Sequence, residues 1–154
     1  MLKARNIMTT DLVTVQVDEK ITKAAELLVT NRINGLPVVN GEGRLVGIIC
    51  QSDLISQQKR VPVPSFFTIL DGIIPITSMK QIEKEAGKIA ATRVNQAMTK
   101  DPITVNPDTD IETIASLMVD NNFHTIPVVK DGKLVGIIGK EDILKTLISV
   151  KSLR

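Results

Sequence analysis

Part of this chain is written twice. Met98-Thr99-Lys100-Asp101-Pro102-Ile103-Thr104-Val105 restates Met8-Thr9-Thr10-Asp11-Leu12-Val13-Thr14-Val15 at an offset of 90 residues. Leu36-Pro37-Val38-Val39 returns as Ile126-Pro127-Val128-Val129 at the same offset. Leu45-Val46-Gly47-Ile48-Ile49 returns as Leu134-Val135-Gly136-Ile137-Ile138, one residue earlier. Three matched blocks in one order mean a single supersecondary unit used twice, each copy completing the other's core. Clefts between repeated units are concave and partly apolar, so a ligand site between the copies is the natural functional expectation.

Each copy reads as strand, helix, strand, strand, helix. Val13-Thr14-Val15 and Ile103-Thr104-Val105 are short β-branched runs, hence short strands. Asp18 and Asp108 stand where helix N-caps belong. Behind them, Ile21, Ala24, Ala25 and Leu28, and then Ile111, Ile114, Ala115 and Met118, keep the spacing of one helix face. Asn31 and Asn121 suit left-handed helix ends. Leu36 to Val39 and Ile126 to Val129 open as strands beside a proline. The turns Asn40-Gly41-Glu42-Gly43 and Lys130-Asp131-Gly132 connect them to the returning strands as hairpins. A second helix opens at Gln51-Ser52-Asp53-Leu54 and again at Lys140-Glu141-Asp142-Ile143.

The organisation is therefore a first copy over 1–58, a connecting segment over 59–93 and a second copy over 94–154. The connecting segment starts with prolines that forbid helix, at Val61-Pro62-Val63-Pro64, and carries Phe66 and Phe67. Ser78-Met79-Lys80-Gln81 fits a capping box. Met79, Ile82, Ala86, Ile89 and Ala90 then form an apolar stripe, predicting a helix over about 78–92. Such a helix is marginal alone and is expected to pack on the repeats or across a dimer.

Charge and composition narrow the function. Nineteen basic and 17 acidic residues give a net charge of +2, no electrostatic footprint for nucleic acid. The N-terminus lacks the apolar core of a signal peptide, and no apolar run approaches the roughly 20 residues of a membrane span. One cysteine excludes an internal disulfide. A cytoplasmic protein with no membrane partner is the expectation. The single His and single Cys sit at non-equivalent places in different copies, which argues against a catalytic dyad. Zinc-ligand spacing and a Walker-type glycine loop are both missing from the sequence. These readings favour a binding module over an enzyme, with no obligatory cofactor and no metal.

The doubled pattern resembles the paired CBS (cystathionine-β-synthase-type) repeats known as a Bateman module. The resemblance rests on Met8-Thr9 with Val13-Thr14-Val15, on Gly35-Leu36-Pro37-Val38-Val39, and on Gly47-Ile48-Ile49-Cys50-Gln51-Ser52-Asp53-Leu54. In the second copy it rests on Met98-Thr99 with Asp101 to Val105, on Ile126 to Val129, and on Gly136-Ile137-Ile138-Gly139-Lys140-Glu141-Asp142-Ile143. It implies an α+β fold of two β-α-β-β-α repeats about a pseudo-twofold axis. It also implies adenosine ligands, namely AMP, ADP, ATP or S-adenosylmethionine, in the central clefts.

The family's signature ends on a Ser or Thr followed, three residues on, by Asp. The resemblance gives Asp53 and Asp142 the role of holding ribose hydroxyls. Cys50 and Gly139 stand where the hydroxyl belongs. Each site therefore lacks a side-chain donor worth about 1.5–3 kcal/mol against a charged phosphate. Backbone donors at the helix start remain. His124, before Thr125-Ile126-Pro127, is similar in position to a phosphate-contacting histidine in the γ subunit of AMP-activated kinase. The first copy has Asn34 there. Lys140 and Arg32 are further candidates for phosphate. Val13, Thr14, Ile103 and Thr104 are expected beside the adenine, with Gly35, Pro37, Thr125 and Pro127 along the clefts. The second copy is expected to be the better site, because His124 and Lys140 both belong to it. The bland readings are a helix-dipole partner for each aspartate and an inert buried thiol for Cys50. Two functional readings follow: an adenosine-nucleotide sensor that signals to an effector protein, and a dimerisation module with decayed ligand sites. Both carry a homodimer as an expectation.

Overall fold

The computed structural model describes residues 1–58 and 92–152, with side chains described through 148. The predicted helix over 78–92 and the pair Phe66 and Phe67 lie outside the described residues, Thr92 excepted. The first copy contains α1 (Ala4–Ile7), β1 (Val15–Gln16), α2 (Ile21–Asn31), β2 (Gly35–Val39), β3 (Leu45–Cys50) and α3 (Gln51–Gln58). The second contains α4 (Val94–Ala97), β4 (Thr99–Lys100), α5 (Ile111–Asn121), β5 (Thr125–Lys130), β6 (Lys133–Gly139) and α6 (Lys140–Ser152). The α+β repeat read from the sequence is what the chain forms.

The two hairpins are built alike. β2 and β3 pair antiparallel with Leu36 opposite Ile49, and β5 and β6 pair with Ile126 opposite Ile138. All four of these side chains are fully buried. In the second copy, Asp131 and Gly132 both have positive φ, 51° and 77°, as a two-residue hairpin turn requires. The first hairpin is closed by Asn40, whose Oδ1 accepts the Glu42 and Arg44 N–H groups at 2.9 and 3.0 Å. The leading strands are shorter than their β-branched runs suggest. β1 pairs parallel with β2 only at Val15 and Gln16, and Val105 makes a single parallel bridge to Val128.

The copies exchange their leading segments. Thr99 of β4 pairs with Ile48, so the strand that opens the second copy completes the first copy's sheet. Thr9 in turn bridges Ile137 in the second. Packing follows the same exchange. Val94 and Met98 belong to the core around Leu36 and Ile49, and Ala4, Ile7 and Met8 to the core around Ile126 and Ile138. Ala4 and Val94 are both fully buried.

This exchange also sets the helix starts. The predicted N-caps, Asp18 and Asp108, lie two residues too early, since the caps are Lys20 and Asp110. Neither cap side chain bonds its helix. The first N–H of α2, at Ile21, donates to the Thr92 carbonyl at 3.0 Å, and that of α5, at Ile111, to the Leu2 carbonyl at 3.0 Å. Backbone just ahead of the other copy's first helix, at Thr92 and at Leu2, replaces the side-chain cap. The helix ends also run one residue on. Asn31 and Asn121 are helical and donate back to the Leu27 and Leu117 carbonyls at 2.8 and 2.9 Å. The left-handed residues are Arg32 and Asn122, with φ of 53° and 55°.

Candidate functional site

Each second helix begins on the residue after a strand, with no loop between. Cys50 ends β3 and Gln51 starts α3; Gly139 ends β6 and Lys140 starts α6. At both junctions the aspartate in the first helical turn reaches back. Asp53 Oδ2 accepts the Cys50 N–H at 2.7 Å, and Asp142 Oδ2 accepts the Gly139 N–H at 2.8 Å. The first helical N–H groups are satisfied across the hairpin: Gln51 donates to the Asn34 carbonyl at 3.1 Å, and Lys140 to the His124 carbonyl at 3.2 Å. One oxygen of each carboxylate is fixed by backbone. The carboxylate keeps acceptor capacity for a ligand hydroxyl.

Both aspartates are half-buried and each lines a cleft, of about 210 Å³ for Asp142 and about 320 Å³ for Asp53. The Asp53 cleft reaches the range of small-ligand sites, roughly 300–1,000 Å³, and the Asp142 cleft falls just below it. The Asp142 cleft combines Gly139, Lys140, Glu141 and Lys145 with Thr9, Asp11, Val13 and the stretch from Arg32 to Gly35. The Asp53 cleft combines Ile48, Cys50 and Ser52 with Thr99, Asp101, Pro102, Ile103, the stretch from Asn121 to Thr125, and Pro127. Each cleft is therefore walled by both copies. Thr125 borders both clefts, and it touches its own repeat equivalent, Gly35: a β-carbon on Gly35 would stand 3.1 Å from Thr125 Oγ1.

The grouping by copy does not survive this geometry. Asp142, Gly139 and Lys140 face Val13 and Gly35, and Asp53 and Cys50 face Ile103, His124 and Pro127. His124 and Lys140, expected at one site, are divided between two. Thr104 lines a separate groove with Asn106 and Thr109, and Thr14 and the fully buried Pro37 border neither cleft. Asp11 and Asp101, which carry no role in the sequence reading, each line a cleft. Their signal was present, since both stand inside the first repeated block.

The electrostatics of the clefts differ. Arg32, Lys140 and Lys145 balance Asp11, Glu141 and Asp142 in one. In the other, Asp53 and Asp101 face His124, and no lysine or arginine stands among the described lining residues. Burial, and then the nearby Asp53 carboxylate, push the Cys50 thiol up to about 11. The fold thus brings the single Cys and the single His into one cleft but keeps the thiol protonated, the reverse of what a nucleophile requires. Burial also raises Asp53 above its usual range, opposed by the hydrogen bond from the Cys50 N–H.

Among the described residues, no helix is long and apolar enough to cross a membrane. Protein MJ1426 of Methanocaldococcus jannaschii is 32% identical over 146 residues, 88% of this chain and 86% of that protein. Two other curated relatives are longer, and the chain spans 61% and 59% of them. Arabidopsis thaliana CBSX2, crystallised in complex with AMP, superposes with a TM-score of 0.74 at 26% identity, covering 98% of this chain and 99% of that one. The CBS domain pair of protein MJ0100, in complex with 5'-methylthioadenosine and S-adenosyl-L-methionine, gives 0.70 at 25% identity over 97% and 98% of the two chains. The CBS domain model matches twice, over 4–60 and 94–149, the stretches that hold the two hairpins and both aspartates. With one match on each copy and both aspartate clefts walled by the two copies together, the chain belongs to the CBS domain family and is built as one CBS pair, a Bateman module.

Proposed function

We propose that this chain is a regulatory module that binds adenosine compounds in its two clefts and passes the bound state to an effector protein. One observation carries the reading. In both copies a half-buried aspartate is fixed at a strand-to-helix junction, through 2.7 and 2.8 Å bonds, where a cleft between the copies ends. A carboxylate so held is preorganised to accept the two hydroxyls of a ribose. AMP in CBSX2, and S-adenosyl-L-methionine with 5'-methylthioadenosine in the MJ0100 pair, support the same ligand class. AMP, ADP, ATP and S-adenosylmethionine are the compounds to test.

The cheapest test is spectroscopic. The chain has no Trp or Tyr, so its own absorbance near 280 nm is almost nil. Bound adenine would dominate the spectrum near 260 nm in freshly purified protein. Calorimetry on protein stripped of ligand completes it. No heat with any of the four compounds at millimolar concentration would reject the reading.

A second reading has its own support. Cys50 and Gly139 occupy the two places where a hydroxyl would hold phosphate, so the module could serve dimerisation with weakened sites. Exposed apolar side chains recur in both copies, at Val29 and Val119 and at Ile55 and Leu144. A homodimer that never binds an adenosine compound would favour this reading.

A further inference from the structure

The two clefts are unlike at one corner. Helix α2 ends on Arg32 and α5 on Asn122, both left-handed. Asparagine is enriched in that conformation, and arginine is not. A residue held in a disfavoured backbone state points to a use for its side chain. Arg32 lines the Asp142 cleft together with Lys140. Its equivalent, Asn122, lines the cleft of Asp53 and Asp101, where His124 is the sole basic group among the described lining residues. A guanidinium is a permanently charged fork that fits phosphate oxygens in pairs.

Building on the adenosine reading above, we propose that the two clefts sort their ligands by charge. The Asp142 cleft takes an adenosine nucleotide, with its phosphates on Arg32 and Lys140. The Asp53 cleft takes an adenosine compound whose tail carries no net negative charge, either an uncharged nucleoside or a sulfonium. A phosphate placed there would find no lysine or arginine among the described lining residues to offset Asp53 and Asp101. A sulfonium would be attracted by the same pair. Arg32 is the residue that sets the difference.

Calorimetry of the full chain with adenosine, AMP and ATP tests this, on the unmodified protein, Arg32→Asn and Asn122→Arg. The unmodified protein should show one site that prefers ATP to adenosine and a second that takes adenosine but not ATP. Arg32→Asn gives the first cleft the corner of the second. It should weaken ATP about tenfold, the loss of one charged hydrogen-bond partner, and leave adenosine within about twofold. Its thermal midpoint should not fall, because asparagine suits the left-handed position. Asn122→Arg should create a second ATP site. Equal filling of both clefts by ATP in the unmodified protein, or unchanged ATP affinity in Arg32→Asn, overturns the sorting and leaves the adenosine reading standing. So does a failure of Asn122→Arg to gain an ATP site. No heat from any of the three ligands overturns the adenosine reading itself, and the sorting with it.

Discussion

A β-carbon on Gly47 would stand 2.8 Å from the Thr99 carbonyl oxygen and 2.6 Å from Met98 Sδ. Gly136 has the equivalent place in the second copy. A β-carbon there would meet Met8 Sδ at 2.5 Å and Met8 Cγ at 2.9 Å. Both glycines are the sites where the other copy's leading segment is seated. The obstacles differ in kind: backbone and side chain at Gly47, side chain alone at Gly136.

Substitution should therefore cost unequally. Gly47→Ala should destabilise by about 2–3 kcal/mol, because the β3–β4 pairing itself must shift. Gly136→Ala should cost about 1 kcal/mol, because the Met8 thioether can swing aside. Chemical denaturation of both variants measures this. A double variant sharpens it: Met8→Ala should recover most of the Gly136→Ala loss, whereas Met98→Ala should recover little of the Gly47→Ala loss. Equal costs, or full rescue in both pairs, would show that the Thr99 carbonyl is not the barrier.

The junction aspartates should be separable into a structural and a binding share. Asp53→Ala and Asp142→Ala each leave one backbone N–H, at Cys50 or Gly139, without its present acceptor. The expected stability loss is about 1 kcal/mol each, the cost of losing a helix-start cap. The expected binding loss for an adenosine ligand is larger, about 1.5–3 kcal/mol, from a charged acceptor of hydroxyls. Thermal melts and calorimetry read the two shares. Unchanged ligand affinity in Asp142→Ala would reduce that carboxylate to its capping bond.

Cys50 offers a pH-dependent probe of the Asp53 cleft. Its thiol is raised from 9.0 to about 11, mainly by burial. Because the folded value is the higher one, the fold favours the neutral thiol. That contribution is fully present below pH 9 and is lost as pH rises through 11. Alkylation should follow the thiolate: slow near pH 7, with a rate that climbs toward pH 11. An adenosine compound seated in this cleft should slow it further. Mass spectrometry after timed iodoacetamide treatment reads both effects on the one cysteine in the chain. A rate midpoint near pH 9.0 would show an open, unperturbed thiol.

Much of this fold was legible in the sequence, and the limits were physical. A repeat declares which residues are equivalent, so both hairpins, both helix pairs and the two junction aspartates could be placed. It does not declare on which copy a short segment packs. Met8-Thr9 and Met98-Thr99 are two-residue contacts made across the module, and local pattern carries no sign of such a partner. Two misreadings follow from that one exchange. Asp18 and Asp108 looked like caps because the carbonyls that serve α2 and α5, at Thr92 and Leu2, come from elsewhere in the chain. His124 and Lys140 looked like one site because they share a copy, whereas each cleft draws its walls from both.

The exposed apolar side chains lead to the last prediction. Val29 and Val119 are 78% and 79% exposed, at equivalent places on α2 and α5. Ile55 on α3 and Leu144 on α6 form a second equivalent pair, and α6 adds Leu147 and Ile148, all mostly exposed. Scattered apolar residues on a surface need no cause, but two of these pairs, Val29 with Val119 and Ile55 with Leu144, recur at equivalent places on the four helices of the repeats. A surface that repeats about a local twofold is self-complementary, which suits a closed homodimer. Sedimentation equilibrium should give twice the mass of 16.8 kDa at micromolar concentration. Leu144→Glu with Leu147→Glu should yield a monomer, and the helical signal in circular dichroism should persist, because neither side chain belongs to the buried cores. A wild-type monomer would reject the dimer outright, and a double variant that stays dimeric would move the interface away from α6.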